Sequence, residues 1–222
     1  MVASRMSGLM LFRPLPRPSA GTVGRFAFEI TTITIGILIA LWIDGVKETR
    51  RDEALVRTAR AQLTREIADN LRDVEDTESS RDAHTVALMQ GLQLVNELRA
   101  GHSSVAPTAL GLSSPSFPRS AWDTASRTGA LALMDYADVK AYSEIYDLQD
   151  LADRAQESYV RRMTQESQQF MAAISKERAG ATLDRPDLEA ARTQGMALMG
   201  AFRFYRQLMQ QLVSRYKGVE TR

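Results

Sequence analysis

Cysteine is absent from all 222 residues, which excludes disulfides, thiolate metal sites and a sulfur nucleophile. An excess of either charge is also absent. The chain sets 28 Lys and Arg against 27 Asp and Glu, with no basic stripe, so it lacks the bulk charge that grips nucleic acid. Histidine occurs only at His84 and His102, in neither Glu-x-x-His nor His-x-x-x-His spacing. No metal site or cofactor is expected from them. There is no phosphate loop, no Gly-x-Ser-x-Gly elbow and no dinucleotide fingerprint, so the chain is not expected to be an enzyme. Strand-like alternation is missing as well, and Gly and Pro do not occur between Val46 and Gln90. The expected fold is all-α.

Long apolar runs are scarce, with one exception. Residues 24–43, GRFAFEITTITIGILIALWI, contain ten Phe, Ile or Leu. A helix of about 20 residues rises about 30 Å, the thickness of the hydrocarbon core. Those ten residues favour insertion by about 3–6 kcal/mol. The single acid, Glu29, lies near the start, where its penalty is well below the ~2.5–3.5 kcal/mol of a central charge. The segment is expected to span a membrane once and to contact lipid.

Before it, residues 1–23 form a basic head expected to be disordered, broken by Pro14, Pro16 and Pro18 and free of acids. Leu41-Trp42-Ile43-Asp44 is too bulky for a signal peptidase site, so an uncleaved anchor is expected. The basic head favours the cytoplasmic side. Lys47, Arg50, Arg51 and Arg57 on the other flank match the four arginines of residues 1–25, Arg5, Arg13, Arg17 and Arg25, and pull the other way. The expected location is a bacterial inner membrane, with the large domain in the periplasm.

Residues 44–222 are expected to form an antiparallel helical bundle of three long helices and one short helix. The apolar stripe Leu55/Val56, Ala59, Leu63, Ile67, Leu71 and Val74 resumes at Leu88, Leu92, Val95 and Leu98. The polar interval from Glu75 to Thr85 is either exposed helix or a bend near Ser79-Ser80. Gly101 ends this element, and residues 101–120 read as a loop that crosses one end of the bundle. Ser120 caps a short helix closed by Gly129. Asp135 or Asp138 opens a long helix to about Arg178. Asp184-Arg185-Pro186 starts the last one, whose stripe runs Leu188, Ala191, Gly195, Leu198, Phe202, Tyr205, Met209, Leu212 and Tyr216.

Two resemblances follow from particular residues. Glu29-Ile30 with Ile35-Gly36-Ile37-Leu38-Ile39-Ala40-Leu41 resembles the anchor of a family of uncharacterised bacterial single-span membrane proteins. The blocks Ala121-Trp122-Asp123-Thr124-Ala125, Thr128-Gly129-Ala130-Leu131 and 142–149 (YSEIYDLQ) resemble its second shared region. Asp44-Gly45 stands where members carry an Asn-rich stop. The resemblance covers about a quarter of the chain and implies a helical domain on one span, with no assigned activity. Gly24-Arg25-Phe26-Ala27-Phe28-Glu29 also looks like the processing site of type IV prepilins, which implies a mature chain starting at Arg25, where that family prefers Phe or Met.

Glu29, Gly36 and Ala40 fall on one helical face and form the candidate membrane-helix contact. The competing reading of Glu29 is a carboxylate shallow enough to reach headgroup water. Trp122, Tyr136, Tyr142 and Tyr146 form a candidate aromatic cluster, read as either core or a ligand cradle. The expected function is protein–protein contact, with the chain as scaffold, assembly or accessory subunit, acting as a homo-oligomer or with a membrane-protein partner. The alternatives are an extracytoplasmic ligand-sensing module that works with a partner, and a prepilin-like subunit.

Overall fold

The structure, a computed structural model, describes residues 20–102, 107, 111–178 and 183–220. Most of the expected head, including Arg5, Arg13 and Arg17, lies outside the described residues, as do parts of the 101–120 loop and Arg222. Among the described residues there are six α-helices and no strand: α1 (Ala20–Asp76), α2 (Glu78–Arg99), α3 (Ser120–Arg127), α4 (Tyr136–Arg161), α5 (Gln168–Arg178) and α6 (Arg185–Glu220). The chain divides into two compact units between Arg51 and Asp52.

In the first unit, α1 begins at Ala20, within the segment expected to be disordered. One helix here is long and apolar enough to cross a membrane, by length and composition. Its described side chains from Gly24 to Ile43 are all exposed. The hydroxyls of Thr32 and Thr34 donate to the carbonyls of Phe28 and Ile30 at 2.9 and 2.8 Å. Each is thereby satisfied within its own helix.

In the second unit, the expected stripes meet in one core that includes Leu63, Ile67, Val74, Leu88, Ile145, Phe170, Phe202 and Leu212. The break between α1 and α2 comes at Thr77, two residues before the expected bend. The Thr77 hydroxyl donates to the Asp73 carbonyl at 2.9 Å. The buried Arg81 guanidinium reaches back to the Val74 carbonyl at 2.5 Å and to Thr77 Oγ1 at 2.6 Å. A carbonyl freed at the end of α1 is therefore answered by a cation.

The helix expected from Asp135 or Asp138 to Arg178 is also divided, by a π-helical turn at Arg162–Glu166 followed by Ser167. Ser167 is buried, and its hydroxyl donates to the Arg162 carbonyl at 2.9 Å, which closes this wider turn.

Pairing across the helices fixes their directions. Arg60 meets Asp138 at 2.6 Å and Tyr146 donates to Glu66 at 2.7 Å, so α1 and α4 run parallel. Gln149 donates to Tyr216 and Tyr205 to Gln156, so α6 runs against α4. Arg99 pairs with Glu189, and Arg206 donates to Thr85, so α6 also runs against α2. The expected bundle of three long antiparallel helices and a short one is thus corrected. Two broken rods, α1–α2 and α4–α5, run in one direction, with α6 opposed to both.

Parallel neighbours need a return as long as the rod, and that return is the loop expected to cross one end. Instead, residues 111–119 run back along α2 and α1. The Gly111 carbonyl meets His84 at 3.1 Å, and the Ser113 N–H donates to Ser80 Oγ at 2.8 Å. The Ser116 N–H donates to Asp73 Oδ2 at 2.7 Å, and Asn70 donates to the Pro118 carbonyl at 3.0 Å. From 84 to 70 a helix rises about 21 Å, and from 111 to 118 an extended chain covers about 23 Å, so the two match. Gly101 and Gly129 adopt φ of +80° and +78° where α2 and α3 stop, the left-handed geometry that glycine takes readily.

Candidate functional site

The anchor face is the first candidate. Glu29, Gly36 and Ala40 are exposed on α1, and a Cβ built on Gly36 would meet nothing within 4 Å. The stripe is open and of low relief, with one carboxylate near its N-terminal end. Such a surface lets a second helix backbone approach and offers it a hydrogen-bond partner.

The aromatic cluster is only partly assembled. Trp122 stacks on Tyr146 with ring centroids 5.1 Å apart and planes 29° apart. Tyr142 is buried beside them, its hydroxyl 3.5 Å from Thr64 Oγ1. Tyr136 is 81% exposed and stands apart from this core.

What organises the cluster is Glu66, which reads in sequence as one acid of a solvated face. Its Oε1 accepts the Tyr146 hydroxyl at 2.7 Å. Its Oε2 accepts from Ser120 Oγ at 2.7 Å and from the Ala121 N–H at 2.9 Å. The cap of α3 therefore comes from α1, and Ser120, expected to be that cap, is the first residue of the helix. A carboxylate at a helix N-terminus accepts orphan N–H groups and faces the positive end of the dipole. Burial, then the neighbouring Glu66, raises the Tyr146 pKa far above the usual phenol range. This hydroxyl is a fixed donor. Beside Glu66 lies an open groove of about 450 Å³ lined by Arg65, Glu66, Asp69, Asn70, Ala121 and Thr124. Arg119 anchors the loop end before α3 through Nη1, which donates to both carboxylate oxygens of Asp150 at 2.7 and 2.9 Å.

Sequence reasoning missed a second polar centre. His84, weighed only as a metal ligand, is 1% exposed. Its Nδ1 lies 3.1 Å from the Gly111 carbonyl, its Nε2 meets the Tyr159 hydroxyl, and its ring packs 4.7 Å from that of Phe202. A carbonyl can only accept, so Nδ1 carries a proton, and in the neutral ring Nε2 accepts from Tyr159. Burial lowers the His84 pKa, and the Gly111 hydrogen bond opposes that shift. The partners sit 27 and 75 residues away, so no local motif marks them. Among the described residues no group of three His, Asp or Glu is placed to hold a metal ion.

Compared with protein-family models, with curated proteins and with solved structures, the chain matches none.

Proposed function

We propose that this chain is a membrane-anchored helical protein that works through protein–protein contacts, as a scaffold, assembly factor or accessory subunit. The observation that carries the reading is the bare anchor. From Phe26 to Ile43, eleven large apolar side chains are 41–75% exposed. At about 100 Å² each they present about 1,000 Å² of apolar surface, well above the ~300–600 Å² of the largest patch on a typical soluble monomer. Lipid covers most of that surface in this reading. The Glu29–Gly36–Ala40 stripe is where a second copy or another membrane protein packs.

The reading places the anchor in a bacterial inner membrane and the bundle in the periplasm, on the strength of the basic head. It agrees with the resemblance to single-span proteins of no assigned activity, and it assigns no catalytic step. A photo-crosslinking residue at position 33, on the same face but leaving Gly36 in place, tests it in membranes. The expected result is a protein adduct from position 33 and only lipid adducts from position 38, which lies on the opposite face. Lipid adducts alone from both positions would count against it. A ligand-sensing role is the second reading, favoured by the open groove beside Glu66. A prepilin-like subunit is third, and a mature mass starting at Arg25 would support it.

A further inference from the structure

We propose that residues 111–119 form a proton-released strap, held at its leading end by neutral His84 and lifted from α2 when that ring takes up a proton. The strap is fastened at spaced points: Gly111 to His84, Ser113 to Ser80, Ser116 to Asp73 and Pro118 to Asn70. The outer three use hydroxyl, carboxylate or amide groups on α1 and α2, whereas the first uses a buried ring with no spare acceptor.

Protonation of His84 places an N–H on Nε2, facing a hydroxyl that is already donating to it. Tyr159 must then turn its own O–H into an apolar surround, where it is 0% exposed. A buried donor without a partner is costly. Lifting the strap instead opens the ring to water.

Apart from the Gly111 carbonyl, which accepts from Nδ1, no group facing His84 favours the cation. From α4 comes Tyr159. From α6 comes Phe202, with Tyr205 and Arg206 a turn further on. On α2 itself, Arg81 pairs with Glu78, and Asp82 pairs with Arg206. The only ionisable side chain from 111 to 119 is Arg119, held by Asp150. Among the described residues no carboxylate pairs with the His84 ring.

Amide hydrogen exchange on the full chain in detergent micelles tests the strap through the Ser113 and Ser116 N–H groups. His84 is titrated alongside by NMR, with exposed His102 as the internal reference. Protection of both amides, corrected for intrinsic exchange, should fall by up to about tenfold per pH unit below about pH 6.5. It should remain well below that of α6 core amides such as Leu198 and Phe202. In His84→Asn the side-chain amide still donates to Gly111, and the response should vanish. Asp73→Asn keeps an acceptor for Ser116 and should retain it. Should His84→Asn not fold, Tyr159→Phe removes the competing donor, and release should move to higher pH. Three results would overturn the proposal: pH-independent protection of Ser113 and Ser116, an unchanged response in His84→Asn, or strap amides that exchange only together with the α6 core.

Discussion

Two glycines in α6 should respond with opposite sign to the same substitution. Gly195 faces Phe170 of α5 and Leu92 of α2, and an added Cβ would come within 2.7 Å of Phe170 Cδ2 and Cε2 and of Leu92 Cδ2. The Phe170 ring cannot swing clear, because a Cβ built on Gly91 across the seam would already lie 2.8 Å from its Cζ. The ring is held between two backbones. Overpacking at such a site costs about 1–3 kcal/mol, and Ala gains about 0.5–1 kcal/mol over Gly in a helix. Gly195→Ala should therefore destabilise by about 1–2 kcal/mol. At Gly200 a Cβ meets nothing within 4 Å, so Gly200→Ala should keep the helical gain alone. At about 2–4 °C per kcal/mol for a domain of this size, Tm should fall by about 2–8 °C in the first variant and rise by about 1–4 °C in the second. Circular dichroism on heating in mild detergent reads both. A Gly195→Ala protein as stable as Gly200→Ala would refute the packing of Phe170 between α2 and α6.

Glu66→Ala should cost about 2–3 kcal/mol, because it leaves the Tyr146 hydroxyl and the α3 N-terminus without their charged acceptor. Glu66→Gln should cost less, since one carbonyl oxygen can still serve one of the two sides. Thermal melts together with Trp122 fluorescence would measure both. Stability should fall on the acid side, because the unfolded chain binds a proton near pH 6.5, the ordinary histidine value, before buried His84 does. It should fall on the alkaline side above about pH 10, because burial raises Tyr146, Tyr159, Tyr205 and Tyr216, with Tyr205 reaching about 12, so the unfolded chain loses those protons first. Urea unfolding across pH checks both limbs, and a flat profile would contradict the burial of these groups. In the anchor, Gly36→Ile should weaken association by about 1–2 kcal/mol while Ile37→Leu changes little, as read in a membrane two-hybrid assay at matched expression.

Periodicity carried a good part of this fold. All nine residues of the α6 stripe from Leu188 to Tyr216 are buried, and α6 starts at Arg185 behind Asp184, as the proline after it implied. Gly101 and Gly129 stand where α2 and α3 stop. These features were legible because they depend on residue type at local spacing. The π-helical turn was not, since 162–166 (RMTQE) is mostly polar and says little about helical phase. The strap was hidden for a different reason. Gly111, Pro115 and Pro118 engage α1, α2 and α4 through carbonyl oxygens, which every residue possesses. Three of the four cluster residues were legible for their own reason: Trp122, Tyr142 and Tyr146 sit at core spacing, whereas Tyr136 begins α4 and points to water. Glu66 was hidden because a carboxylate that caps another helix looks, in sequence, like any surface acid.

The account turns on the anchor, and alkaline carbonate extraction of membranes from cells expressing the full chain, with intact mass on the recovered protein, tests it most directly. The prediction is a protein that stays in the membrane pellet with residues 24–43 retained. Recovery in the supernatant, or a mature mass that begins after Ala40, would contradict it.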